Sequence, residues 1–401
     1  MRLNRRFIIF IIIATVFVAL FLRYLYRAPK RHYSDFRVYH ATGRRFIERQ
    51  NIYERPDQSI TPFKYSPICA MLMAPLSFFS RKTASLVFFT INFILLIVAF
   101  IFSGRLIIRD KMSFKEMIFL YIFPALFTLR FILLTLDCGQ VGIIIFALIV
   151  LGLYFLREKK DMLTGALMGL SIMFKYTPAV FLPYFIFKNK VKLVILIMIF
   201  IMLYCVIPAT YTGMDKQIDS IKNWFPFITE TSFYRGSWYD NKNQSLFSLV
   251  LRYFTKDSPY RVSVAGLTFN QGLMITFILG TVIYLLIIFP GKDYDFRRPV
   301  EYSLLFIFMV LFNPNAWMHN FVAFIFAYMT LFYYLIKVNF KDKITLALVA
   351  LSFTLMTLMS ETFVGDNLET LSEELSSVTI GALILMFLLF RLKFLRWGNN
   401  S

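Results

Sequence analysis

Cysteine is nearly missing from this chain: Cys69, Cys138 and Cys205 are its only three in 401 residues. They lie in or beside apolar segments with no paired spacing, which excludes a disulfide framework and a cysteine zinc site. No Walker loop, dinucleotide fingerprint or zinc-protease helix occurs, so nothing in the sequence supports nucleotide-driven chemistry. Acids are also scarce, 23 Asp+Glu against 43 Lys+Arg, for a formal net charge of +20. In a soluble chain that balance would point to nucleic acid. Here the cations sit in short runs between apolar blocks, among them Arg157-Glu158-Lys159-Lys160, Lys188-Asn189-Lys190-Val191-Lys192 and Arg391-Leu392-Lys393. Such runs are the positive-inside signal of membrane proteins, and nucleic acid is not expected as a partner.

What the chain has in abundance is apolar surface, with 58% hydrophobic residues. Blocks at 7–22, 86–102, 141–156, 193–207 and 274–289 reach or approach the roughly 20 apolar residues that cross a bilayer core. A soluble core would show amphipathic faces instead. Backbone groups in lipid must be satisfied within the segment, so blocks of this length are helices. The sequence predicts an all-α, polytopic integral membrane protein, a single membrane domain over 1–401 with roughly 10–13 membrane segments.

The basic start Met1–Arg6 places the N-terminus in the cytoplasm, and the apolar run behind it reads as an uncleaved signal anchor. The 27–66 loop is then external, together with Gly139-Gln140, Lys175-Tyr176-Thr177-Pro178, the polar loop 211–263 and the 313–320 stretch. The stretch 361–374, with five acids and no base, falls on the same side, and the basic C-terminus returns to the cytoplasm. The 291–299 loop is cytoplasmic. Parity fails once. Three apolar segments, 67–79, 84–104 and 117–134, separate two external sites, so one of them must be re-entrant or broken. The 27–64 stretch also carries nine Lys/Arg against four Asp/Glu while facing outside. Either the topology is inverted, a reading weakened because long loops translocate largely regardless of charge, or these cations have an anionic client such as a lipid phosphate. A bacterial inner membrane is the expected location.

Asp35 opens Asp35-Phe36-Arg37-Val38-Tyr39-His40. Behind it Phe36, Tyr39, Gly43, Phe46 and Ile47 share one helical face, with Arg37, Arg44, Glu48 and Arg49 around the other. This is the pattern of an amphipathic helix lying on the membrane with its apolar side down. Asp35 reads in two ways, as an N-cap beside Ser34 or as a general base for an acceptor hydroxyl. Lys175, at the end of an apolar helix, either snorkels or binds phosphate as a compact charge. His319 either hydrogen-bonds at a helix start or acts in a junctional site. Gln140 follows a glycine at a helix start, and Asn243 or Ser245 would cap the helix after them. Asn243-Gln244-Ser245 also matches a glycosylation sequon, a pattern that recurs by chance.

The order of these motifs carries further information. Asp35-Phe36-x-Val38-Tyr39, Ile52-Tyr53, Phe63-x-Tyr65-x-Pro67 and Ala74-Pro75-Leu76 follow one another. Downstream come Gly139-Gln140-Val141, Gly165-x-x-x-Gly169-Leu170, Lys175-x-x-Pro178, Asn243-Gln244-Ser245-Leu246 and Trp317-x-His319. In this order the chain resembles glycosyltransferase family 87 over most of residues 30–325. The resemblance implies the GT-C fold and inverting transfer of a sugar, mannose above all, from a polyprenyl-phosphate carrier to a lipid or glycan acceptor on the outer face. It makes Asp35 the base, puts His319 beside it as a partner or acceptor ligand, and sets Lys175 against the donor phosphate. Arg37, Tyr39, Lys64, Tyr65, Gln140, Asn243, Gln244 and Trp317 are then expected around donor and acceptor. No metal or other cofactor is expected, the carrier-linked sugar being a substrate, and membrane lipids are the surrounding partners.

Two positions depart from the family pattern: Asn320 stands where a second histidine often follows Trp-x-His, and Gln50 where a glycine is common. A transporter or flippase of a lipid-linked saccharide is the competing reading, and it calls for inverted repeats and charges deep within the spans. No repeat is evident, and the polar motifs gather on one face. A third reading gives the chain only an assembly role, with Asp35 a cap and the lysines snorkelling.

Overall fold

The computed structural model describes residues 5–30, 34–54, 63–232, 234–260, 262–290 and 296–394. Residues 1–4 of the basic start, parts of the first loop (31–33 and 55–62), the 291–295 part of the expected cytoplasmic loop and the tail 395–401 lie outside them. Among the described residues no strand forms. Two isolated bridges occur, Asn243 with Trp317 and Thr255 with Leu267, and helices carry nearly everything else. The first eight helices are α1 (Arg5–Lys30), α2 (Ser34–Ile47), α3 (Pro67–Met73, extended by a 3-10 turn Ala74–Phe78), α4 (Arg81–Ile107), α5 (Phe114–Phe127), α6 (Leu129–Cys138), α7 (Gly142–Arg157) and α8 (Asp161–Phe174).

Five helices are long and apolar enough to cross a membrane singly: α4, Val191–Thr212, Phe269–Ile288, Met318–Lys337 and Ser377–Phe394. The bent α5–α6 pair passes the same test when its two helices are taken as one span, and five shorter apolar helices lie among them. The predicted all-α polytopic fold is therefore what the chain adopts. Burial sorts the spans: 89% of the Met318–Lys337 window is inside the protein, against 17% for Val191–Thr212 and 22% for Phe269–Ile288. The first is apolar all round because protein surrounds it. The other two leave Met198, Met202, Phe277 and Ile278 exposed on faces suited to lipid.

Local chemistry sets the helix ends. Ser80 caps α4 by accepting from the Thr83 amide, and Ser113 with Glu116 forms a reciprocal capping box at α5. Pro124 inside α5 has no amide to donate, and the helix gives way four residues later, where α6 departs at 59°. The polar groups at this break are satisfied: Thr128 Oγ1 donates to the Pro124 carbonyl at 2.7 Å, and Thr357 Oγ1 donates to the Phe127 carbonyl. Irregular backbone at membrane depth survives on such terms.

The parity conflict is resolved by the Pro67–Phe78 segment. Its twelve residues span roughly 18 Å at 1.5 Å per residue, too short for the hydrocarbon core. It packs beneath α2 instead, with Met73 and Ser77 so close to Gly43 that a Cβ there would lie 2.5 Å from Ser77 Oγ. The apolar face predicted for α2 does form. It is covered by protein, however, where the sequence suggested lipid: Phe36, Tyr39 and Phe46 are buried, and Phe36 lies 5.1 Å from Phe88 of α4, ring to ring. With α3 too short to cross, α4 and the α5–α6 pair taken as one span give the even number of crossings that the expected topology requires between Asp35 and Gln140.

Glycine sets the closest helix packing. A Cβ at Gly165 would lie 3.1 Å from Leu196 Cβ, and one at Gly169 would lie 3.1 Å from Phe200 Cβ and 3.3 Å from the Ile197 carbonyl. This small-xxx-small face lets α8 and Val191–Val206 approach backbone to backbone. Gly169→Val is expected to destabilise the detergent-purified protein by about 1–3 kcal/mol, read as a lower thermal midpoint. Gly266→Ala should leave the midpoint unchanged, since nothing lies within 4 Å of the added methyl. Equal midpoints for both variants would contradict the packing argument.

Candidate active site

The site grows from the turn between α6 and α7. Gly139 ends α6 in the left-handed conformation at φ 66°, and a Cβ there would lie 2.7 Å from Phe36 Cβ. Only glycine suits both demands. The turn therefore presses against the residue next to Asp35, and Gln140 Nε2 donates to Asp35 Oδ2. Asp35 lies in the first turn of α2, where the helix dipole favours an anion. The N-cap reading gives way to this one: the helix already includes Ser34, and the carboxylate is held by a distant side chain.

Gln140 is itself oriented. Its Oε1 accepts from Tyr39 at 3.1 Å, with Tyr65 at 3.5 Å, while the two tyrosine hydroxyls are 2.9 Å apart. Burial, reinforced by the neighbouring Tyr65 and Asp35, raises the Tyr39 pKa well above its ordinary value, so the phenol stays a neutral donor. With the oxygen committed to phenols, the amide nitrogen must face the carboxylate.

The opposite flank of the same turn meets the 313–320 stretch. Thr135 Oγ1 donates to the His319 carbonyl at 3.2 Å, and a Cβ added at Gly142 would lie 3.1 Å from that oxygen. One eight-residue stretch, 135–142, thus touches the helix of Asp35 and the turn of His319. Lys175, in the turn after α8, donates to Asn320 Oδ1 at 2.7 Å. Asn320, seen in the sequence only as a departure from pattern, is the partner that aims this lysine.

Asp35, Tyr39, Lys64, Tyr65, Gln140, Lys175, Trp317 and His319 line one cavity of about 1000 Å³. Three expected residues do not. Arg37 is absent from the lining. Asn243 and Gln244 are fully buried, and their hydrogen bonds are spent on structure. Asn243 Nδ2 donates to the Pro314 and Ser237 carbonyls at 2.7 and 2.9 Å, and its Oδ1 accepts from the Ala316 amide at 3.1 Å. Gln244 Nε2 donates to the Glu373 carbonyl at 2.8 Å. This pair clamps the walls of the cavity without facing into it, which corrects the binding role expected of them.

Sequence reasoning also missed residues that do line it. Arg23 and Arg27 come from α1, Asp137 from the last turn of α6 and Trp224 from the 211–263 region. An acid inside an apolar segment was the available signal for Asp137. The acids of 361–374 form the far wall. Arg130 of α6 pairs there with Glu369 and, at 3.3 Å, with Glu373, and burial pushes the Glu373 carboxyl up to about 7 despite that arginine. Among the described residues no three His, Cys, Asp or Glu side chains converge as a metal-ion group. The cavity thus joins a held carboxylate, several cations and aromatic surface.

The sequence profile of glycosyltransferase family 87 matches residues 63–314. A polyprenol-phosphate-mannose-dependent alpha-(1-2)-phosphatidylinositol mannoside mannosyltransferase of Mycolicibacterium smegmatis is 26% identical over 256 residues, covering 59% of this chain and 56% of that protein. An alpha-(1->3)-arabinofuranosyltransferase of Corynebacterium glutamicum is 24% identical over 221 residues, covering 54% of this chain and 50% of the other. The chain thus spans about half the length of the curated relatives it matches. The profile match includes Gln140 and Lys175 but not Asp35 or His319. Those two are joined to it by the contacts of the 135–142 stretch.

Burial, with the like charge of Lys64 nearby, lowers the Lys175 pKa from 10.5 to about 7. Between about 7 and 10.5 the unfolded chain holds more protons than the folded one, so this residue makes stability rise with pH across that window. Anion binding runs the other way. Affinity for geranyl phosphate, measured by titration of purified protein, should fall as pH rises through about 7, where Lys175 loses its charge. Lys175→Arg should flatten that limb, because guanidinium stays charged. An unchanged pH profile in this variant would show that Lys175 does not meet the anion.

Proposed function

The chain belongs to glycosyltransferase family 87, and from that premise we propose that it moves a sugar from a polyprenyl-phosphate carrier to a hydroxyl of a lipid or glycan acceptor, with inversion at the anomeric carbon. The observation that carries this reading is the convergence of Asp35, Gln140, Lys175, Trp317 and His319 on one cavity. Mannose is the sugar we favour, from the donor that the name of the Mycolicibacterium relative gives for that protein. The external face, with both termini cytoplasmic in a bacterial inner membrane, is the orientation that the cationic loops support.

In this mechanism Asp35 removes the proton of the acceptor hydroxyl as its oxygen attacks the anomeric carbon. The bond from that carbon to the phosphate oxygen breaks on the opposite side of the sugar, and the phosphate leaves with the electron pair. Lys175 and Lys64 offset the charge gathering on the phosphate, and they act in a partly desolvated cavity where each charge counts for more. Gln140 holds the carboxylate in place through the reaction. Trp317 offers an apolar face to the sugar, and His319 binds the acceptor beside the base. A transporter would need a polar path through the bilayer. The polar side chains singled out for chemistry, Asp35, Gln140, Lys175 and His319, gather instead on one cavity. Glu301 with Lys188 and Arg297, and Asp342 with Arg391, are closed by their own partners.

Asp35→Asn keeps the hydrogen-bonding shape and removes the base. The variant is expected to remain folded and membrane-inserted while transfer falls by roughly 10²- to 10⁴-fold. Purified protein incubated with radiolabelled polyprenyl-phosphate mannose and membrane lipids gives the readout. Full transfer by Asp35→Asn would overturn the mechanism, and no transfer by the unaltered protein would overturn the donor assignment.

A further inference from the structure

Apart from Asp35 and the acids of the far wall, the cavity is lined by one more carboxylate, Asp137, and the proposed chemistry leaves it without a task. Asp137 is the last acid of α6, three residues before Gln140, with its side chain only 3% exposed. It pairs with Arg23 of α1, whose side chain is 31% exposed, and both line the cavity. Arg27, one helical turn after Arg23, lines it too. A buried carboxylate gripped by a guanidinium is a poor proton acceptor for substrate, so a second base is not the explanation. The grip has another consequence. A guanidinium carries five N–H donors in a rigid plane, and tying Nη1 to Asp137 fixes where the remaining donors point.

A second observation says what they meet. Leu126, Leu129, Leu133 and Leu134 also line the cavity, and Leu126 and Leu129 are among the exposed large apolar residues. Leu129 and Leu133 stand one turn apart on α6 with Leu134 beside them, and Leu126 stands on α5 just before the bend. Apolar lining thus runs from the bend along α6 toward Asp137, past Arg130, whose charge is held by Glu369 and Glu373. The ten residues of α6 rise about 15 Å, roughly half the hydrocarbon core. An apolar lining that starts at the bend between two apolar helices and ends at a locked arginine fits a molecule with a long hydrocarbon tail and an anionic head.

We propose that α1 and α6 form the lipid-phosphate subsite, in which the tail of a polyprenyl monophosphate lies along Leu126–Leu134, Arg23 binds its phosphate, and Asp137 positions Arg23. This rests on the donor reading given above and deepens it. The 137–140 turn then holds two groups at once: Asp137 sets the arginine at the leaving group, and Gln140 sets the carboxylate at the acceptor. The left-handed Gly139 between them keeps the two in register.

The test compares binding of geranylgeranyl phosphate and geranylgeraniol, which share a tail and differ in the phosphate, to full-length detergent-purified protein. The unaltered protein should prefer the phosphate. Arg23→Ala should reduce that preference roughly 10- to 100-fold, the range for hydrogen bonds to a charged group, with alcohol binding unchanged. Asp137→Asn should reduce it in part, and Arg23→Lys should retain part of it if Arg23→Ala fails to fold. Leu133→Glu should weaken both ligands alike. Folded Arg23 and Asp137 variants that keep the original ratio would overturn the subsite and leave the donor reading standing. An unaltered protein without preference would overturn both.

Discussion

The hydrogen bond from Gln140 to Asp35 is the contact on which the site depends, because it joins parts of the chain that sequence separates by a hundred residues. It exists only if the chain returns to the same side of the membrane between them, so it constrains topology as well as chemistry. Two crossings would satisfy it, by α4 and by the bent α5–α6 pair taken as one span, with the proline-bearing Pro67–Phe78 segment packed under α2. Glycine is required at the contact itself, where Phe36 and a left-handed backbone meet. The tyrosine pair behind Gln140 completes the arrangement by fixing which end of the amide faces the acid.

The far wall is built by a different device. The segment 361–374 is short and acidic, with little apolar surface of its own to bury. It is held by cations and amides from other helices. Arg130 reaches two of its carboxylates and the carbonyls of Met356 and Met359, while buried Arg252 donates to the Glu373 and Glu374 carbonyls. Gln244 adds its bond to the Glu373 carbonyl. Removing one partner of such a buried pair leaves a charge uncompensated, a larger loss than any surface pair carries. This explains why Asn243 and Gln244 form a motif at all: they build the cavity wall from behind.

Much of this was legible in the sequence because membrane helices announce themselves by length and composition, and the one topological conflict was visible as a parity failure. The choice of which segment breaks was not, because Pro67, Pro75 and Pro124 all disturb helices and only packing decides whether the remainder still crosses. Asp35, Gln140, Lys175 and His319 stood out as polar residues at the ends of apolar blocks, and the structure brings all four to one cavity. The face of α2 was read correctly and its partner was not, since periodicity shows that a side is buried without saying whether lipid or protein covers it. Asn243 and Gln244 were misplaced for a related reason: a polar residue in a loop and one buried beneath it look alike in one dimension.

The cations of the cavity fall into two physical classes, and the difference bears on how charge would be handled in transfer. Lys175 is a flexible ammonium, aimed by a neutral amide and held near its own titration point by burial and by Lys64. Arg23 is a planar group, permanently charged and fixed by a carboxylate that cancels much of its field at a distance. A ligand phosphate approaching Lys175 would draw a proton onto it, so its full charge would be present only when the anion is. Arg23 would provide direction and Lys175 an adjustable charge. A cavity of this design avoids carrying unpaired positive charge while empty, a condition that burial would otherwise oppose. Asn320 fits the same logic: a histidine there would bring a titratable group against the lysine, whereas an amide aims the ammonium without competing for its proton.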